Sequence, residues 1–213
     1  MVGTYSLELL WAVIATFQYY FSAWLLGTFI GIALAYLAWN LKAERSRYIY
    51  FAVTGASFIP VTVMIPYFLD AFGIRWFVYP LLALPVLLIT FASCHESFQH
   101  ANRHRQTLRV NYQQQGFHHF WTVVFRESVP ALKTTFRQTL SLCFAIFIAL
   151  DYFMEYWGGL GKIVHKYYTR LSFNEANYYF MTLSIVVTGL IGIVQVYINE
   201  KGFGRFVEFR KHY

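Results

Sequence analysis

The chain has 213 residues, of which 58% are hydrophobic, 21% aromatic and 13% charged, with a formal net charge of +7. A soluble domain carries about a quarter of its residues as Asp, Glu, Lys and Arg, so an ordinary water-soluble enzyme or binding module is excluded. Two cysteines exclude a disulfide framework, and the positive charge, set in polar connections between apolar runs, fits an anionic membrane face and not nucleic acid.

Apolar runs long enough to cross a bilayer recur five times, at residues 20–39, 48–69, 76–94, 131–150 and 176–198. At ~1.5 Å per helical residue each covers about 30 Å, the thickness of a hydrocarbon core. Lipid offers no partners to backbone amides and carbonyls, so each run is expected to close its own hydrogen bonds as an α-helix. The expectation is one all-α, polytopic membrane domain over 1–213.

Ahead of the first span, residues 1–18 read as a helix lying at the outer interface. From Leu9 to Trp39 the chain is apolar, with Gln18 as the one strong interruption, too long for one upright span and too short for two. Trp11, Phe17, Tyr19 and Tyr20 would then sit at headgroup depth. No positive segment of the kind that opens a cleaved signal peptide is seen there. The first span carries Gly27 and Gly31, a small-xxx-small face that lets another helix approach closely. The second and third spans each hold two prolines, Pro60 with Pro66 and Pro80 with Pro85, and are expected to be kinked. Cys94 and Cys143 fall inside spans and read as buried, inert thiols.

Residues 96–130 are rich in Gln, His, Arg and Asn and are broken by Gly116 and Pro130, which reads as a helix-turn-helix between spans three and four. His95 and His100 bracket Glu96 as in a zinc-protease motif, but with one residue too many. At ~100° per residue they stand about 140° apart and cannot share a metal on one helix. His100 and His104, four apart, could face one ligand, with His118 and His119 nearby; surface histidines are the plainer reading.

Asp151 and Glu155 lie one turn apart at the outer end of span four, beside Gly158–Gly161. Charges at membrane depth point to function, and the alternative is a hydrated cap on the helix end. The glycines are not a phosphate loop, since no strand precedes them; a tight re-entrant turn before a short helix over 162–170 is expected. The 22 Phe, 17 Tyr and 6 Trp read as lipid-facing bulk and interface belts, or as the lining of a path for an apolar solute.

With the connection between spans one and two placed inside, 13 of the 17 Lys and Arg fall on that side, leaving Arg75, Lys162, Lys166 and Arg170 outside. This bias predicts an N-terminus outside and a C-terminal tail, 200–213, in the cytoplasm.

Several stretches carry a family resemblance. Phe58–Pro66 followed by Phe72-Gly-Ile74, then Phe120–Pro130, Arg137, Asp151 and Gly159-Leu-Gly161, resemble in order and spacing the membrane permease subunit of binding-protein-dependent ABC importers, in its nitrate/sulfonate/taurine-type branch. The resemblance covers nearly the whole chain. It departs at the family's Glu-Ala-Ala signature, where Thr107-Leu-Arg109 stands, and at Gln113, where a glycine is usual. It implies the five-helix core of a type I ABC importer permease: an outer interfacial helix at 1–18, spans one to three within 19–95, a cytoplasmic coupling loop at 96–130, spans four and five within 131–199, and the tail.

What the resemblance implies of function is half of the translocation path for a small solute, an organic or inorganic anion, in a bacterial inner membrane. The expected partners are a cytoplasmic ATP-binding subunit, a second permease subunit (the same chain or a similar one), an extracytoplasmic solute-binding protein and the lipid bilayer. ATP and Mg belong to the ATPase; this chain is expected to hold no cofactor and, since no nucleophile with a base and no phosphate loop can be assembled, not to be an enzyme. A helix over 107–120 would dock on the ATPase, with Tyr112, Phe117 and Phe120 as anchors, Arg105 and Arg109 facing an acidic rim, Gln113 within it and Gly116 ending it. Asp151 and Glu155 would face the path. Two rivals stand beside this reading: a metal-dependent membrane enzyme acting on lipid through His95, His100, His104 and Glu96, and a non-transporting assembly subunit with a permease-like fold.

Overall fold

A computed structural model of the chain describes residues 2–41, 43–57, 60–112 and 120–169, with 185–187, 189, 190, 193 and 197. The described residues form an all-α fold without strands. Its elements are α1 (Val2–Asn40), α2 (Ala43–Ala56), α3 (Val61–Trp76), α4 (Val78–Tyr112), a π-helical turn (Phe120–Phe125), α5 (Arg126–Met154) and α6 (Leu160–Thr169). Among the described residues three helices are long and apolar enough to cross a membrane, at Leu7–Asn40, Val78–His100 and Arg126–Met154. Most of the expected span at 176–198, and the tail at 200–213, lie outside the described residues.

Two clusters fix the directions of the helices. At one end Tyr20 of α1 packs with Phe77, Leu81 and Leu82 at the start of α4 and with Phe147 of α5. At the other, Ala35 and Ala38 pack with Phe91, Cys94 and Phe98 further along α4 and with Leu132 and Phe136 early in α5. Hence α1 and α4 run parallel and α5 runs against them. Gly27 and Gly31 are where α1 meets α4. A Cβ on Gly27 would stand 2.5 Å from the Ala83 carbonyl oxygen, and one on Gly31 would stand 2.9 Å from that of Leu87. The small-residue face therefore serves a contact within the chain, where backbones touch because no side chain intervenes. Trp24 adds a hydrogen bond from its indole to Thr139 of α5, 3.1 Å.

Several expectations change. Residues 2–40 form one helix with no separate interfacial piece, because Gln18 alone is no helix breaker and no Pro or Gly lies between Thr4 and Gly27. Tyr20 is fully buried in the core and not at a headgroup surface, whereas Trp11 and Phe17 are exposed. The expected second span is two helices, not one kinked helix. It parts ahead of Pro60, which is extended (φ −62°, ψ 127°), while Pro66 is carried inside α3.

The third span does not stop near 94: α4 continues through Tyr112, so residues 96–112 prolong a span and do not open a new hairpin. Pro80 lies in its first turn, where amide donors have no helical partner to lose. Pro130 does not end a helix either; α5 passes through it. The chain ahead of it is wound as a π-helix, and Ser128 Oγ donates to the Val124 carbonyl at 2.8 Å beside that stretch. Cys94 and Cys143 are free and buried, in line with their place inside apolar runs, and the Cys143 thiol donates to the Tyr20 carbonyl at 3.3 Å.

Candidate functional site: the two polar ends of the bundle

The first polar end is built where α5 stops and α6 starts. Glu155 ends α5 in the left-handed region (φ 53°, ψ 17°), its N–H donating to the Asp151 carbonyl, and Gly158 (φ 73°) completes the reversal. The left-handed region costs a non-glycine residue roughly 1–2 kcal/mol, so the turn needs support from its contacts with α6 and α1. Asp151 is fully buried, and a buried carboxylate is very costly unless donors surround it. The start of α6 supplies one: the Lys162 N–H donates to Asp151 Oδ2 at 2.8 Å. Beside it the Leu160 N–H donates to Thr16 Oγ1 of α1 at 2.9 Å, with Thr16 also fully buried.

The glycines of this turn make the approach feasible. A Cβ on Gly159 would stand 2.7 Å from Thr16 Oγ1 and 2.8 Å from Asp151 Oδ2, and one on Gly161 would collide with the Ile148 carbonyl and the Tyr152 amide. Further along α6, Lys166 pairs with Glu8 of α1, and His165 Nδ1 lies 2.7 Å from Glu155 Oε1 while its ring packs on Tyr152. Underneath, Trp157 closes an aromatic cluster with Tyr19, Phe77 and Phe147. Of the two expected path residues, Asp151 is thus directed into the chain's own fold, and the half-exposed Glu155 faces α6.

The second polar end joins α2 to α4. Ser46 Oγ and His95 Nε2 are hydrogen-bonded at 2.9 Å, both residues being buried. The His95 ring is held between Tyr50 and Phe91, with centroids at 5.0 and 5.8 Å, and Tyr50 OH donates to Glu96 at 2.6 Å. His95 and Glu96 are therefore engaged with α2. Among the described residues no group of three His, Cys, Asp or Glu side chains stands together in a way that could hold a metal.

The residues expected to contact an ATPase divide. Arg105, Arg109 and Tyr112 lie on the far extension of α4. Gln113, Gly116 and Phe117 lie outside the described residues. Phe120 is a core residue and not a free anchor: it is buried against Tyr36, Trp39, Phe98 and Phe125. It stands at the start of the π-helical turn. Thr16 and Ser46 carry no signal in the sequence, because one hydroxyl in an apolar or mixed run means nothing until the fold supplies its partner.

No family model and no curated protein matches the sequence. Among solved structures, a chain of the MetNI methionine ABC transporter, in inward-facing conformations, matches with a TM-score of 0.70 and 17% sequence identity. The match covers 95% of this chain and 96% of that one. At this identity the likeness is one of fold, running over essentially the full length of both chains.

Proposed function

We propose that the chain is the membrane-spanning permease subunit of an ATP-driven ABC importer and provides half of the path for a small solute. The observation that carries this reading is the fold shared with a chain of an ABC transporter at a TM-score of 0.70 over 95% of the length. Motif order supports the nitrate/sulfonate/taurine-type branch, and with it an organic or inorganic anion as solute. The arrangement requires a second permease subunit across the path, an extracytoplasmic solute-binding protein, and a cytoplasmic ATPase that holds ATP and Mg. The membrane is the bacterial inner membrane, with the N-terminus outside.

The element suited to transmit force is α4. Its 35 residues make a rod of about 52 Å, from the Phe77 end to beyond the Phe98–Phe120 cluster. A displacement applied near Tyr112 reaches the whole bundle through such a rod, whereas a loose loop would absorb it. The contact to the ATPase is assigned to Tyr112 and Phe117, with Gln113 and Gly116 between them and Arg105 and Arg109 alongside on the rod. Phe120 drops out because it is already buried.

Co-expression with the ATPase and reconstitution into liposomes tests the reading. An ATPase that co-purifies and drives ATP-dependent uptake is expected, and the Tyr112→Ala/Phe117→Ala double variant should release it without lowering membrane insertion. An ATPase that stays bound and coupled in that variant overturns the docking assignment. Absence of any ATPase association overturns the permease reading.

A further inference from the structure

We propose that Thr16 and Asp151 are a paired positioning cap, which fastens α6 to α1 and α5 and makes the three one body at this end of the bundle. The first amides of a helix have no partner within it and must be met from outside. An ordinary cap comes from the residue just before the helix; here that residue is Gly159, which has no side chain to offer. Instead Leu160 is met by a hydroxyl of α1 and Lys162 by a carboxylate of α5, at 2.9 and 2.8 Å.

Both cap residues are fully buried, so neither acceptor is spent on water. Gly159 lies where a Cβ would press on both cap oxygens at once, which ties the glycine to the pair. Leu160 and Ile163 then seal the joint against Ala12 of α1. The carboxylate works here as a hydrogen-bond acceptor at a helix N-terminus, where the partial positive charge of the helix also favours it. Its task is geometric: an isosteric amide, which keeps an acceptor oxygen, suits the position, and a methyl group does not. On the permease reading, on which this consequence rests, the rim of the outer mouth moves with the spans instead of flapping as a loop.

Hydrogen exchange on the full chain in bilayer nanodiscs tests the cap without any solute or ATPase, so its outcome is separate from that of the transport reading. In the wild type, the amides of Leu160–Ile163 should exchange together with those at the end of α5. Asp151→Ala should speed exchange at Lys162 by about five- to thirtyfold, the range of a lost cap of about 1–2 kcal/mol. Asp151→Asn should stay within about threefold of wild type, since Asn caps nearly as well as Asp. Thr16→Val should act like Asp151→Ala, Thr16→Ser should not, and the double variant should be no worse than the worse single one, because one helix end opens once. If Asp151→Asn exchanges as fast as Asp151→Ala, the charge and not the acceptor geometry matters, and the proposal falls. Unchanged exchange in Asp151→Ala, or additive effects of the two sites, overturns it equally.

Discussion

At the scale of single residues, close backbone contact makes the sharpest demand. Gly27 and Gly31 meet the backbone of α4, which cannot step aside as a flexible side chain can. Gly27→Leu must push α1 and α4 apart, and overpacking of this kind typically costs about 1–3 kcal/mol. Gly55, within α2, has nothing within 4 Å of where a Cβ would sit, so Gly55→Ala should be neutral or stabilise by roughly 0.5–1 kcal/mol through its effect on the unfolded chain. Thermal unfolding in detergent should therefore lower the midpoint for the first and leave or raise it for the second; equal loss in both would mean the contact is not selective. The glycine pair was legible in the sequence as a contact face, but its partner was not, since spacing records a face and not what lies against it. Asp151 was legible as a charge at depth for a similar reason, while its partner, the Lys162 amide at 2.8 Å, was not.

At the scale of elements, hydropathy marks where lipid begins and ends, and it says little about where a helix does. The third apolar run ends near residue 94, yet α4 continues to Tyr112 because Asn, Arg, Gln and His are tolerated in a helix once it leaves lipid. Spin labels at Ser97 and Asn111 should accordingly report a separation near 21 Å, about fourteen residues at ~1.5 Å each. A helix that turned across the axis at residue 107 would bring the labels markedly closer and refute the rod. The opposite error arises at α2 and α3, where an unbroken apolar stretch hides a break ahead of Pro60. The α2 segment is held to α4 by Ser46–His95 and Tyr50–Glu96, backed by the stacking of Tyr50 on His95. A buried side-chain hydrogen bond such as Ser46–His95 contributes about 1 kcal/mol and the exposed Tyr50–Glu96 bond less, so Ser46→Ala with Tyr50→Phe should loosen α2. A single cysteine at the partly buried Ile49 should then label faster, and an unchanged rate would show that apolar packing alone seats the helix.

At the scale of the molecule, the two ends of the bundle differ in charge, and the fold sorts residues that the sequence only grouped. Arg45 and Arg47 flank Ser46, which bonds His95, and Arg126 and Lys133 adjoin Phe125 and Leu132 in the same end of the core. Arg75 precedes Phe77 and stacks on Trp76 at the opposite end, where Lys162 and Lys166 also lie. The antiparallel course of α5 against α1 and α4 is what brings residues so far apart in sequence to a common side. Lys and Arg near span ends are retained on the cytoplasmic side during insertion, so the His95 end is predicted to face the cytoplasm and the Asp151 end to face outward. Of the two described lysines at the Asp151 end, Lys166 is paired with Glu8, which offsets its charge, whereas at Lys162 the group engaged is the backbone amide, which leaves the side-chain charge in place. Single cysteines at Arg45 and Arg126 should resist an impermeant reagent applied outside intact cells, and one at Lys162 should react. Reaction at Arg45 and Arg126 with protection at Lys162 would invert the molecule. The α4 extension would then lie outside, beyond reach of any cytoplasmic ATPase, and the permease reading would fail with the orientation.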